Sequence, residues 1–514
     1  MRKNKLFIPF LSTVSATSLV ALSAACGTTV KEYTEEGKIS KAEVVQPIAN
    51  DKVDVAKGTV IEATVGSEKI KTLQTLSDIT TQKFSIHEDY LTNGVIDYAK
   101  LPKIALFIDG GGEKDKSFNQ SAWEALRKLS VQLGVDDVNY AKDSFNTFSE
   151  PGAANLPSAY LAAIKGGAKY IVLNGFTQGD TLKTFIAKAS NQKLIKDNGV
   201  VFITIDFDES KHDFFVNNPG HILPVNFNTR EAAWMAGYAL AEYNKDNADA
   251  TQRTLGAFGG LPFPGVTDFI VGILNGIIDA NTEIEANTTT SIRDVINLKS
   301  GFEIGKTEAT NAVNEIKESR AWFPVAGSIT TYAASELRKT ENAGKFLIGV
   351  DADQSLAIPE NAFFTSVQKQ VGQIVYNILG SLYQNKNVDS LYPGFVIGQA
   401  NGPEKLSFGY SSVDKPQENY VKVAGAYMKD QTLTTKAQSF LTAATTKYSS
   451  EKQTILAKMQ ERFDASGAPS QQEDQRIFTY LNYLAGLTRT TKKVVSTATP
   501  AAPSAGSSSE GSQA

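Results

Sequence analysis

The chain has 514 residues, 41% of them hydrophobic, and 51 Lys and Arg against 55 Asp and Glu give a formal net charge of −4. That length holds roughly two to four domains, and the interspersed charges make no broad basic field of the kind that binding to a nucleic-acid polymer requires. The single cysteine, Cys26, excludes an intramolecular disulfide and a thiolate metal cage.

At the amino end Arg2, Lys3 and Lys5 make a basic head, Leu6 to Leu22 an interrupted apolar run, and Ser23, Ala24 and Ala25 lead into Cys26, the pattern of a secretory signal with its cleavage site. Residues 1–25 resemble a bacterial lipoprotein signal peptide, with Ser23 standing where such signals carry a branched apolar residue. Cys26 is then the lipidated first residue, and its acyl chains hold the protein at the extracellular face of the cell membrane. Elsewhere no uncharged apolar run reaches the roughly 20 residues of a membrane span.

Residues 26–102 are polar and rich in Thr, Lys and Glu, with short alternating stretches such as Thr59 to Val65, and read as a tether with a small strand-bearing extension. From Lys103 to about Lys429, apolar runs recur at Ile104 to Ile108, Tyr170 to Leu173, Val201 to Ile205, Leu255 to Phe258, Trp322 to Ala326 and Phe346 to Val350. Between them Ser121 to Leu133, Leu182 to Ala189, Arg230 to Tyr243, Val266 to Ile278 and Glu303 to Ile316 carry helical spacing. That alternation predicts an α/β fold with parallel sheets, in two lobes with a cleft between them. Two long helical patterns follow, Thr435 to Phe463 and Asp474 to Leu487, within a C-terminal region 430–495 read as an appendage or as loosely held surface helices. Residues 496–514 are Ala, Pro, Ser and Gly with one charge, a composition expected to be disordered.

Catalytic signatures are sparse. His87, His212 and His221 show no metal-ligand spacing. Gly301 to Thr307 resembles a phosphate loop but has three residues between its glycines where four are needed, and Asp351-Ala352-Asp353 starts like a calcium loop but lacks its glycine and closing glutamate. What remains is a set of strand ends: Asp109, Asn174-Gly175-Phe176, Asp206, Gly259-Gly260, Ala326-Gly327 and Asp351. Each suits a turn by itself. Together they put carboxylates beside glycines at the edge of an open sheet where ligands bind.

The segments D-G-G-G-E-K-D-K-S-F-N-Q-S-A-W from Asp109, N-G-F at Asn174 to Phe176, I-T-I-D-F-D at Ile203 to Asp208, G-A-F-G-G at Gly256 to Gly260, F-P-V-A-G at Phe323 to Gly327, I-G-V-D-A-D-Q at Ile348 to Gln354 and T-S-V-Q-K at Thr365 to Lys369 occur in this order. The series resembles the basic membrane protein family, which includes purine nucleoside receptor lipoproteins. It implies a type I periplasmic-binding-protein fold, two Rossmann-like lobes joined by a three-stranded hinge around an interlobe cleft. The resemblance also implies a non-enzymatic receptor that hands nucleosides, of the purine class, to the permease of an ABC importer. Lobe 1 is expected over about 103–222 plus 355–390 and lobe 2 over about 223–354 plus 391–429.

Carried over by position, Phe118 stacks on a base and Asn119 hydrogen-bonds its edge. Asp109 and Asp206 line the cleft beside Gly327, and Asp351 with Lys369 grips the ribose hydroxyls. The second stacking aromatic is assigned to Phe302, with Phe176 and Phe263 as competitors. Glu113-Lys114 depart from the family pattern, which leaves Asp115 as the retained acid of that loop. No cofactor or metal is implied, and a monomer is expected. Two readings from other classes stand beside this one: a surface adhesin or antigen with a vestigial cleft, and a sugar-processing enzyme with paired carboxylates.

Overall fold

In a computed structural model, the described residues are 59–134, 156–285, 287–293, 296–358, 362–385 and 406–492, with strand backbones at Thr28–Tyr33, Ile39–Val45 and Phe145–Phe148. The proposed signal peptide, Cys26 and the 496–514 tail lie outside them. Each expected apolar run becomes a strand, because a continuous apolar stretch suits a parallel strand covered on both faces. The first sheet is built from β1 (Lys103–Ile108), β2 (Phe145–Phe148), β3 (Ala168–Asn174), β4 (Val201–Ile205), β5 (Ile222–Phe227) and a last short strand, in the spatial order 2-1-3-4-5-last, all parallel. The second contains β6 (Thr254–Gly259), β7 (Ser291–Ile292), β8 (Ala321–Val325), β9 (Phe346–Asp351) and β10 (Phe363–Lys369). The last strand of the first sheet is β11 (Leu406–Phe408), and β12 (Val421–Val423) closes the second sheet antiparallel to β10. The two sheets repeat one order, with a switch point between the first and third strands of each.

Six helices bear on the cleft and its hinge: α1 (Phe118–Gln132), α2 (Thr229–Asn244), α3 (Pro264–Asn281), α4 (Val371–Asn385), α5 (Gln431–Ala465) and α6 (Glu473–Thr490). The chain crosses between sheets three times, from β5 into α2, from β10 into α4, and from β11 to β12. Asn228 N–H donates to Phe408 O at 2.8 Å, Tyr420 N–H to Gly409 O at 3.0 Å and Gln370 N–H to Tyr420 O at 2.9 Å, so the three crossings are stitched side by side. This is the hinged two-lobe arrangement of a type I periplasmic-binding-protein fold.

The expected lobe boundaries need correction. β5 and β11 pair within the first sheet although 223 onward and 391–429 were placed in lobe 2, and β10 pairs within the second although 355–390 was placed in lobe 1. Pro224 hides β5, because proline interrupts a central-strand pattern. It fits here because Val225 O accepts from Asp206 N–H on the β4 side, and on the other side β11 begins its pairing only at Val225. β10 reads as polar, yet every residue from Phe363 to Lys369 is buried. Thr365 Oγ1 donates to Ala424 O at 2.7 Å and Ser366 Oγ accepts from Gln354 N–H at 3.2 Å, which meets the requirement that buried polar groups be partnered. The expected helix from Glu303 starts at Thr307 instead, after Gly305 with φ +90°.

The described parts of both extensions are held firmly. The hairpin Thr59–Val65 with Glu68–Gln74 leads to a segment whose Leu76 and Ser77 N–H groups donate to the buried Glu124 carboxylate of α1 at 3.0 Å each, while Lys128 Nζ donates to Leu73 O at 2.7 Å. The C-terminal helices are not loosely held. Buried Asp279 of α3 accepts from Trp234 Nε1 at 2.7 Å and from Arg462 Nη2 of α5, Arg462 Nη1 reaches Asn275 Oδ1 at 2.9 Å, and Tyr448 and Tyr480 are almost fully buried. Among the described residues no helix is long and apolar enough to cross a membrane.

Candidate functional site

The two switch points face one another, and the strand ends there enclose a cleft whose free cavity volume is about 50 Å³ with the lobes in this arrangement. All nine residues singled out from the sequence line it: Asp109, Phe118, Asn119, Phe176, Asp206, Phe302, Gly327, Asp351 and Lys369. Sequence reasoning missed Gly265, Val266, Phe269 and Ser328 as lining residues, named Asp115 only as the acid of its loop, and left Phe263 as a competitor. The G-V-T-D-F stretch at Gly265 to Phe269 read simply as the apolar face of α3, so nothing marked its first turn as cleft wall.

A charged row crosses the cleft. Lys369 Nζ, at the end of β10, lies 2.6 Å from Asp206 Oδ2 of the opposite lobe and 3.7 Å from Asp351 Oδ1 of its own, with the three side chains 2%, 5% and 8% exposed. Such burial is tolerable because the charges are paired. Asp206 and Asp351 both take left-handed backbone, φ +67° and +63°, a conformation that costs of order 1–3 kcal/mol outside glycine and clusters at ligand sites. A Cβ on Gly265 would lie 2.7 Å from Asp206 Oδ2. Glycine there lets the carboxylate of one lobe approach the first turn of α3 in the other, where the helix dipole favours an anion.

Further contacts join the lobes. Ser117 Oγ, just before α1, donates to Asp351 Oδ2 at 2.6 Å, and Gln354 Nε2 donates to Lys116 O and Gly327 O at 3.3 Å each. Burial raises the Asp351 carboxyl pKa, against Lys369 and the Ser117 hydrogen bond, which favour the ionised form. Asp115 accepts from the N–H groups of Ser117, Asn119 and Gln120 at 2.9 to 3.0 Å, fixing the turn into α1. Burial raises its carboxyl to about 7 in spite of those donors, and nearby Asp351 pushes the same way.

Asp109 is fastened from the neighbouring strand end: Thr177 Oγ1 and Gln178 Nε2 both donate to its Oδ1. Its carboxylate covers Gly175, whose φ is +118° and where a Cβ would sit 1.9 Å from Asp109 Oδ2. The N-G-F glycine is therefore there for the acid, and the acid's position depends on it. Asn119 is engaged in the same way. Its Nδ2 donates to Asp109 O and Gly110 O, each at 3.1 Å, and its Oδ1 accepts from Asn174 Nδ2 at 3.1 Å. The amide braces the glycine turn, and this arrangement leaves one Oδ1 lone pair for anything else.

Five phenylalanines supply the apolar walls: Phe118, Phe176, Phe263, Phe269 and Phe302. Lys369 Nζ stands 4.5 Å above the Phe118 ring, within cation–π range. Phe176 of lobe 1 stacks on Phe263 of lobe 2, centroids 3.3 Å apart and planes 23° apart, so these two meet each other across the cleft. Phe302 stays on the lobe 2 wall, its carbonyl accepting from Ser328 Oγ at 2.7 Å.

The lining thus combines planar hydrocarbon faces with a hydrogen-bonding row of acids and one ammonium, a surface for a neutral ligand with a flat part and a hydroxylated part. Among the described residues no cluster of His, Cys, Asp and Glu is arranged to hold a metal ion.

Comparison with known proteins shows the family of this chain. The family described as Bmp, ABC transporter substrate-binding protein PnrA-like, matches residues 101–390. Basic membrane protein B of Borreliella burgdorferi is 27% identical over 58% of this chain and 78% of its own length. An ABC transporter nucleoside-binding protein, BmpA of Lactococcus lactis, is 25% identical over 57% of this chain and 77% of its own. The crystal structure of an ABC transporter solute-binding protein from Aeropyrum pernix is 18% identical with a TM-score of 0.49, covering 75% of this chain and 99% of that one. The segments that line the cleft from Asp109 to Lys369 all fall inside the matched span, and the chain belongs to the Bmp family of PnrA-like ABC transporter substrate-binding proteins.

Proposed function

We propose that this protein captures nucleosides at the cell surface, held there by lipid on Cys26, and delivers them unchanged to the permease of an ABC importer. The observation that carries the reading is the Asp206–Lys369–Asp351 row beside the Phe118 ring. A base offers two flat faces to aromatic side chains, and ribose hydroxyls donate to carboxylates while accepting from an ammonium. In this reading Phe118 carries one face of the base, and Asp351 and Lys369 hold the ribose. The other face falls to Phe176, Phe263 or Phe302.

Four lining carboxylates against one lysine, which Asp206 and Asp351 already engage, make the cleft hostile to phosphate. Isothermal titration with guanosine and guanosine monophosphate tests this: guanosine binds and the monophosphate does not, whereas comparable affinities overturn the reading. Cytidine and uridine in the same assay test the purine preference.

A further inference from the structure

Helices α5 and α6 lie wholly beyond the span that matches the family, residues 101–390, and α5 does more than cover an apolar face. Its Arg462 end is fixed to α3 of lobe 2 through Asp279 and Asn275. Nearly three turns earlier it meets the hinge. Lys452 Nζ lies 2.9 Å from Glu231 Oε2 and also donates to Tyr410 O. Glu231 Oε2 accepts in turn from Tyr410 N–H at 3.0 Å, and Ser449 Oγ accepts from Val413 N–H at 3.3 Å. The buried Tyr410 and Tyr448 rings meet edge to face at 5.9 Å.

These partners belong to two of the three crossings. Glu231 stands in the first turn of α2, directly after the first crossing, and Tyr410 and Val413 stand in the third. Gly409 has no Cβ to meet Glu231 Oε1, which would lie 2.6 Å away. A helix that only shielded lobe 2 from water would need no lysine donating to the Tyr410 carbonyl of the third crossing. The Glu231 side chain is 4% exposed, so its charge is held by Lys452 and the Tyr410 N–H group rather than by solvent.

We propose that α5 is a brace on the hinge, with Lys452 as its positioning residue, tying the third crossing to lobe 2 and favouring the closed arrangement of the lobes. Hinge strands absorb the backbone change of lobe closure. Holding two crossings together through a rigid helix therefore biases that equilibrium without touching the ligand, whichever ligand the cleft takes.

The test uses the full-length chain in a Cys26→Ser background with spin labels on K188C and E341C, exposed positions in lobe 1 and lobe 2, so interlobe distance is read without ligand. Lys452→Met is expected to shift and broaden that distance distribution and, with guanosine as the probe, to speed dissociation roughly tenfold, within the usual range of coupling between distant sites. Lys452→Arg restores both. Lys436→Met, which removes an exposed ion pair of the same helix with Asp246 away from the crossings, leaves both readouts as in the parent. Should Lys452→Met fail to fold, Glu231→Gln is read in its place with the same expectation. Unchanged distances and dissociation in Lys452→Met, or equal changes in Lys436→Met, overturn the brace. Failure of guanosine to bind the parent overturns only the nucleoside reading, since the distance measurement stands without it.

Discussion

Lys369 Nζ and Asp206 Oδ2, 2.6 Å apart, are contributed by different lobes, at the end of the fifth strand of one sheet and of the fourth strand of the other. A contact that joins the lobes is thus also part of the cleft lining, so lobe closure and the shape of the site are linked. A ligand group that replaces part of this pairing gains a ready-made charged partner without a new burial penalty.

Lys369→Met should therefore cost both closure and binding. Removing the ammonium leaves Asp206 and Asp351 buried beside each other without their cation, and breaking such a pair costs about 3–5 kcal/mol. Thermal unfolding without ligand should show a clear loss, and guanosine titration should show no measurable binding. The double variant Lys369→Met with Asp206→Asn should recover part of the stability and none of the affinity.

Phe118→Ala separates binding from folding. The ring is half-buried at the start of α1 and rests against the core only in part. Its loss should leave unliganded stability within about 1 kcal/mol of the parent. Nucleoside affinity should fall tenfold or more, roughly the value of a stacked face and its desolvation. Calorimetric affinity equal to the parent removes the stacking role.

The third expectation concerns pH. Asp115 is raised from 3.8 to about 7 in the folded protein, so between about pH 4 and pH 7 the folded state holds a proton that the unfolded state has released. Its contribution to stability is then greatest below pH 4 and falls as pH rises through that window, levelling off above about 7. The drop is of the order of a few kcal/mol. Asp115→Asn should flatten this part of the profile. Urea midpoints for both proteins at pH 4, 5.5 and 7 check it, and parallel profiles would falsify the assignment.

Much of this molecule was legible from residue order. Ile104 to Ile108 and its five companions could only be covered strands, and the Asp, Asn and Gly residues after them marked the ligand-facing edge. The strands β5 and β10 were not among the expected runs, and a long-range partner explains each. Pro224 is tolerated because β11 begins its pairing one residue later. The polar T-S-V-Q-K run is buried because Ala424 and Gln354 supply its partners. The helices at 431–465 and 473–490 were visible as helices, but the attachment of the first through Arg462 to Asn275 and Asp279 joins residues 187 and 183 positions apart.

The sequence by itself determined which segments would be strands, which strand ends would carry acids, and the family whose motifs they spell, because these depend on local periodicity and on residues adjacent in the chain. Tertiary structure alone decided what each group is free to do. Asn119, expected to read a base edge, also braces the Asp109 turn through contacts to Asp109, Gly110 and Asn174. Phe176 and Phe263, rival candidates for stacking on a base, stack on each other in this arrangement. A side chain's type is set by the chain, but a hydrogen-bonding group or ring face is available to a ligand only when no neighbour has already taken it, and those neighbours are chosen by the fold.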